Sequence, residues 1–244
     1  MINNKDSAEI KYPIRINKYL FLEGYCSRRM ADKLIQNGEV FLNGKKAILG
    51  QKVNLRDKVT VSKRVSSMPQ NYGYFLFNKP RGVVSHNPGP NEKSFEAFIN
   101  FTKPGNLAPV GRLDKDSEGL MFLTDDGRII DKILNPKFEH EKEYVVTVDK
   151  KINNLLVKKI ESGVVIERYK TKPAKIHVVN KWVFKIILVE GKKHQIRRMC
   201  AALGYQVKKL KRLRIMNLKL NNLKSGEIRA LTEEEKVEIL KLIR

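Results

Sequence analysis

Apolar positions near the start of the chain recur at helical spacing in two short runs. Residues 16–22 form the first, broken at Gly24, and Ser27 then stands where a helix N-cap belongs, ahead of Met30, Ala31, Leu34 and Ile35 on one face. Asn37 and Gly38 supply the stop. The pattern changes to strand-like at residues 40–42, which run into Asn43-Gly44, a two-residue hairpin turn, and residues 59–61 give a second strand signal. Residues 63–72 carry serine, proline and charge without periodicity and read as a linker. Beyond them, β-branched and aromatic runs at 74–78, 82–85, 120–123, 144–148, 174–179 and 183–189 predict strands. Helical patterns fall between these runs. Ser94 is expected to cap 95–101, residues 131–134 give a short turn, and 152–162 space Leu155, Leu156, Lys159 and Ile160 helically. In 195–203, Ile196, Met199, Cys200 and Leu203 recur at i, i+3, i+4 and i+7 before Gly204. Strands and helices mix without regular βαβ alternation, which predicts an α+β core with a mixed, largely antiparallel sheet and flanking helices.

The 244 residues suffice for a small unit at 1–62 and a larger one at 73–244. Forty-nine Lys and Arg against 26 Asp and Glu leave a net charge of +23, which favours a polyanionic partner: RNA, DNA or an anionic membrane surface. Position sharpens that reading. Residues 191–226 hold 11 Lys or Arg and no acid, and 205–217 interleave Leu, Val and Ile with cations, as expected of a strand with one face on a sheet and one on nucleic acid. In the small unit the apolar helix faces leave Arg15, Lys18, Arg28, Arg29 and Lys33 on the other side, with Lys45 after the turn, as a phosphate-facing patch. Two isolated cysteines, Cys26 and Cys200, favour reduced thiols, and His177 and His194 lack ligand-like spacing, so no metal is expected. No apolar stretch is long enough to span a membrane and the first residues lack a leader-like core, so a soluble cytoplasmic protein is expected.

Residues 110–127 carry the candidate chemistry. An apolar approach ends at Gly111, a polar loop containing Arg112, Asp114, Asp116 and Glu118 follows, and the apolar run 120–123 comes directly after. By residue type alone this is equally a charged turn pairing Arg112 with Asp114 or a loop held on a rigid scaffold for catalysis.

Two resemblances bear on that choice. The series Arg-Ile-Asn-Lys-Tyr-Leu from 15, Cys-Ser-Arg-Arg-Met-Ala-Asp from 26 and Gly-Glu-Val-Phe-Leu-Asn-Gly-Lys from 38 resembles the S4 RNA-binding domain. Gly-Arg-Leu-Asp-Lys-Asp-Ser-Glu-Gly-Leu at 111–120 resembles the signature loop of the pseudouridine synthases that modify ribosomal RNA. The blocks at 77–85, 141–144 and 191–199 follow in that family's order. The likeness is strongest to the S4-bearing branch acting on the large ribosomal subunit, 23S rRNA. It implies that Asp114 is catalytic, that Arg197 pairs with it and that Tyr144 stacks on the base. RNA contacts are expected from Arg112 in the loop and from His194, Gln195, Arg198, Lys208, Lys209 and Arg212 in the basic tract, and a monomer without an obligate protein partner and without a cofactor is expected. Converting uridine to pseudouridine breaks the N1–C1′ bond, turns the base and joins C5 to the same carbon, with no redox step or group donor. An ionised carboxylate suits this chemistry as nucleophile or as base, at the ribose or at C6 of the ring. The residues leave those roles open.

Overall fold

A computed structural model describes residues 11–66, 72–99 and 107–243. Contacts divide the chain into two units, 1–72 with 126–128, and 73–125 with 129–244.

In the first unit, helices Ile16–Leu22 and Arg28–Gln36 bury Ile16, Leu20, Ala31, Leu34 and Ile35 against strand Val40–Leu42. The Ser27 side chain accepts a hydrogen bond from the Met30 amide at 3.3 Å, satisfying one of the amides a helix start leaves unpaired. Asn43 and Gly44 both have positive φ, 51° and 77°, as a tight primed hairpin turn requires, and join Val40–Leu42 to Lys45–Lys46. Val59–Val61 completes a three-stranded sheet, and Ile14–Arg15 pairs with Lys52–Val53 apart from it. The expected linker begins too early. Residues Lys63–Ser66 are a short helix whose Val65 is buried in this unit's core, because a single apolar residue beside the end of a strand is enough to hold a turn in place. Residues 67–71 lie outside the described set.

The second unit is built on a nine-stranded sheet. Its main path runs Lys175–Asn180, Val183–Leu188, Lys142–Val148, Val207–Ile215, Glu118–Thr124, Tyr74–Lys79 and Ile228–Ala230, with Ala108–Val110 paired to Glu118–Thr124 and Leu218–Lys219 to Val207–Ile215. Among the described residues, every strand pairing of this sheet is antiparallel except one, where Val207–Ile215 lies parallel to Glu118–Thr124. Leu120, Met121, Phe122 and Leu123 are all buried, so this strand is covered on both faces and reads as a continuous apolar run. Each such side chain contributes about 1.5–3 kcal/mol by leaving water.

Helices Asn154–Ser162 and Gln195–Ala202 pack Leu156, Ile160, Ile196, Met199 and Cys200 into one cluster with Phe184 and Ile186. Burial pushes the Cys200 thiol up to about 12 and the Cys26 thiol to about 11, so both remain protonated at neutral pH. Two expectations change here, and one helix is added. Residues 82–85 make only an isolated bridge from Val84 to Ser94 and otherwise form a loop. The Ser94 side chain caps nothing and Phe95–Phe98 is a 3₁₀ turn, while residues 100–101 of the expected helix lie outside the described set. Helix Glu233–Leu242, closed by a capping box of Thr232 with Glu235, had no expectation attached.

Candidate active site

The loop from Gly111 to Ser117 leaves strand Ala108–Val110 and enters strand Glu118–Thr124. A loop this polar exposes carbonyls that the strands cannot satisfy, and those of Gly111, Leu113, Asp114, Lys115 and Asp116 are met by named groups. Arg212 donates from Nη2 to the Gly111 carbonyl at 2.9 Å and from Nε to the Leu120 carbonyl at 2.7 Å. The Ser85 hydroxyl accepts from the Leu113 amide at 2.9 Å and donates to the Leu113 carbonyl at 2.5 Å. The Ser117 amide donates to the Asp114 carbonyl, and the Gly82 amide and Lys79 Nζ both donate to the Lys115 carbonyl. Arg197 Nη2 donates to the Asp116 carbonyl at 3.1 Å and to the Ser117 hydroxyl at 3.4 Å, while its Nη1 reaches the Val207 carbonyl. The loop is therefore fixed from beneath by two guanidiniums, an ammonium and a hydroxyl.

Lys79 is fully buried, and burial lowers its ammonium to about 8, against the attraction of Asp114, Glu118 and Asp116. Its Nζ also donates to the carbonyls of Val83 at 2.6 Å and Pro80 at 3.0 Å. With this frame in place the Asp114 carboxylate stays partly exposed and faces His194, whose Nε2 lies 3.3 Å from Oδ1. His194 has a left-handed backbone, φ 53° and ψ 29°, at the start of helix Gln195–Ala202, so the turn before the helix aims its imidazole outward. Tyr144 sits on strand Lys142–Val148, opposite Ile186 and Arg212 in register. It packs partly buried against the cluster holding Leu113, the residue before Asp114.

Several expected roles change with this geometry. Arg197 grips the backbone of the loop, not the Asp114 carboxylate; the cation facing that carboxylate is His194, when protonated. Arg212, expected on RNA, is 2% exposed and donates from Nε and Nη2 to two carbonyls, because its strand is covered on the face it occupies. Gln195, also expected on RNA, is buried and bonded to Glu190 Oε1 at 2.6 Å while accepting from the Lys192 amide. Arg198 is half-buried in an ion pair with Glu167 at 2.6 Å. Arg112, Lys208, Lys209 and, in the other unit, Arg15, Lys18, Arg28, Arg29, Lys33 and Lys45 are exposed. Among the described residues, the Arg112 to Asp114 pair of the charged-turn alternative does not form, and Asp114 faces His194 instead.

Lys79 and Ser85 had no role assigned from the sequence. The available signal was a lysine closing an apolar strand before Pro80, a position where a charge has nowhere to go but inward. Among the described residues no group of three or more His, Cys, Asp or Glu could hold a metal ion, and no helix is long and apolar enough to cross a membrane.

Comparison with known proteins agrees with this architecture. Residues 73–202 match the family described as RNA pseudouridylate synthase, and residues 14–64 match the S4 domain. The chain is 44% identical over 232 residues to the dual-specificity RNA pseudouridine synthase RluF of Escherichia coli K12, covering 94% of this chain and 79% of that protein. It is 36% identical to ribosomal large subunit pseudouridine synthase B of Bacillus subtilis, covering 91% of this chain and 93% of that protein. A solved pseudouridylate synthase superposes with a TM-score of 0.69 at 31% identity, covering 94% of this chain and 99% of the other. A stitched polar loop at the end of an interior strand of a mixed sheet, an S4 unit before it and identity running the length of both make this chain a member of the RNA pseudouridylate synthase family, an RNA pseudouridine synthase that carries an S4 domain.

Proposed function

We propose that Asp114 is the carboxylate that acts on the target uridine, and that the substrate is ribosomal RNA, with 23S rRNA favoured, modified by a monomer in the cytoplasm. One observation carries the assignment. The Asp114 carboxylate stays partly open and faces the His194 imidazole at 3.3 Å, while carbonyls of its loop are taken up by Ser85, Lys79, Arg212 and Arg197. A carboxylate held on so fixed a backbone meets the substrate without reorganising, which is what positioning contributes to a reaction.

A uridine stacked in RNA hides its glycosidic bond, so the base turns out of the helix at a cost of a few kcal/mol. Stacking on Tyr144 would return about 1–3 kcal/mol of that cost. Asp114 then attacks C1′ or C6, or draws a proton, while the N1–C1′ bond breaks. The base rotates, C5 bonds to C1′ as any bond from Asp114 to C1′ or C6 breaks and returns the carboxylate, and the proton lost from C5 leaves to solvent as N1 takes one up. Every atom of the uridine is retained, so the product has the mass of the substrate.

RNA tritiated at C5 of uridine tests the assignment. Wild type should release tritium from large-subunit rRNA in preference to small-subunit rRNA or tRNA. Asp114→Asn should slow release by more than about a thousandfold while still binding the RNA, the scale expected when a group acting on the reacting atoms is removed. Release by Asp114→Asn at the wild-type rate would remove this residue from the chemistry. Tight binding by wild type without release from any RNA would favour an RNA-binding or ribosome-assembly role instead.

A further inference from the structure

The turn before helix Gln195–Ala202 has two sides. One carries His194 to Asp114, and the other carries Lys192 to the hairpin of strands Val165–Ile166 and Tyr169–Lys170. Between the turn and the hairpin lies a concave surface of about 240 Å³ lined by Ile166, Glu167, Arg168, Tyr169, Lys192 and Arg198. Its aromatic ring is held by one edge only. The Tyr169 hydroxyl donates to Glu190 Oε2 at 2.5 Å, a bond that raises its ionisation above the usual tyrosine range. Glu190, 3% exposed, also accepts from Gln195 Nε2 at 2.6 Å and from the Lys172 amide at 3.1 Å. Tyr169 as a whole residue is 36% exposed, and Lys192 Nζ lies 4.6 Å from its ring centroid.

We infer that this surface is a binding subsite for a nucleotide of the RNA strand next to the target uridine, with the base stacked on Tyr169 and its phosphate met by Lys192 and Arg168. The chemistry selects that occupant. Three cations against one exposed carboxylate, Glu167, favour an anion, and Glu167 already pairs with Arg198. An exposed aromatic face anchored at its far edge suits a planar base of any sequence. Lys192 is a flexible cap: an exposed cation on a ring is weakly held, so an incoming base can displace its ammonium onto the adjoining phosphate. Because Lys192 and His194 share one turn, a strand seated here leads directly to Asp114. The buried Gln195 and Glu190, which touch no solvent-facing ligand themselves, set the angle of both arms.

The inference rests on the assignment of Asp114 as the uridine site, and the following comparison keeps the two separable. Full-length Tyr169→Leu, Tyr169→Phe and Lys192→Ala are measured against an rRNA transcript that wild type modifies, by filter binding across salt and by C5 tritium release, beside Asp114→Asn. Tyr169→Leu should raise Kd by roughly 5- to 150-fold and lower kcat/KM in the same proportion, the range expected from losing one stacked base. Tyr169→Phe, which keeps the ring and gives up the bond to Glu190, should recover most of the affinity. Lys192→Ala should flatten the slope of log Kd against log salt by about 0.7, one phosphate's worth on a single strand. Unchanged affinity in Tyr169→Leu, equal losses in the leucine and phenylalanine variants, or an unchanged salt slope in Lys192→Ala would each overturn the subsite. Wild-type turnover by Asp114→Asn would instead sink the catalytic assignment and leave the binding result standing on its own.

Discussion

At the scale of single residues, the site separates holding from reacting. Arg197 spends its guanidinium on three backbone or hydroxyl acceptors, a fork that a point-charge ammonium cannot reproduce. Arg197→Lys should therefore lower the rate at saturating RNA by about 10- to 100-fold, as the loop shifts by a fraction of an ångström, and change Kd for RNA by less than about threefold. A rate within twofold of wild type would show that the loop holds its place without the fork. His194 plays a different part, since both it and Asp114 are partly open to water and the pair is weakly held in the free enzyme. His194→Ala should cost about tenfold in kcat/KM, read by tritium release, because it removes the group that orients Oδ1. The residue types at both positions were legible in the loop and in the 191–199 block. Which of the two meets the carboxylate was not, since adjacent turns of chain place several cations within reach and only side-chain direction distinguishes them.

At the scale of elements, the catalytic loop depends on a close approach between two strands. Gly119, at φ 105°, lies against the backbone of Arg212, and a Cβ there would come within 2.3 Å of the Arg212 carbonyl oxygen. Gly119→Ala should destabilise the protein by about 3 kcal/mol or more, since both the backbone conformation and the parallel pairing would have to give. Chemical denaturation followed by tryptophan or circular dichroism measures this directly. Arg212→Met tests the same junction from the other side. It leaves the Gly111 and Leu120 carbonyls without their donor and should cost about 2–4 kcal/mol, with no change in the salt slope of RNA binding. A flattened slope would return Arg212 to the RNA surface. Periodicity alone located most strands and helices near here, including Gln195–Ala202 and Tyr74–Lys79. It overran at 82–85, where β-branched residues serve a loop whose partner is Lys79, and it passed over helix Glu233–Leu242, in which only Ile239 is buried and the apolar stripe is faint.

At the scale of the whole molecule, charge works in two directions. The excess of +23 draws the protein to RNA, and the exposed Arg28, Arg29 and Lys33 of the S4 unit lie on one short helix. Changing all three to alanine should weaken RNA binding and flatten the salt slope by about 2–3, and an unaltered slope would exclude that face from phosphate contact. Among the described residues, the buried Lys79 and Lys142 are both lowered from 10.5 to about 8 by burial, Lys142 also by Arg212. In the unfolded chain each keeps its proton to about 10.5, so between pH 8 and 10.5 the unfolded state binds more protons and stability rises with pH. Lys79→Met should lose part of that rise, on the order of 1 kcal/mol between pH 8 and 10 in urea titrations. A slope identical to wild type would mean that Lys79 sits in water in the folded protein.

Much of this molecule is written locally. A cap at Ser27, a turn at Asn43-Gly44, the alternation of strands and the polar loop after Gly111 all depend on interactions within a few residues, and these survive translation into a linear pattern. The loop's motif and its companions in order also identified the family before any contact was known. The supports of the loop are of another kind. Arg212 reaches carbonyls 92 and 101 residues away, and Arg197 reaches one 81 residues away, distances along the chain at which spacing carries no information. Strand register decides them: the parallel pairing of Val207–Ile215 with Glu118–Thr124 puts a cation counted as RNA-facing beneath the loop, and leaves His194 to face Asp114.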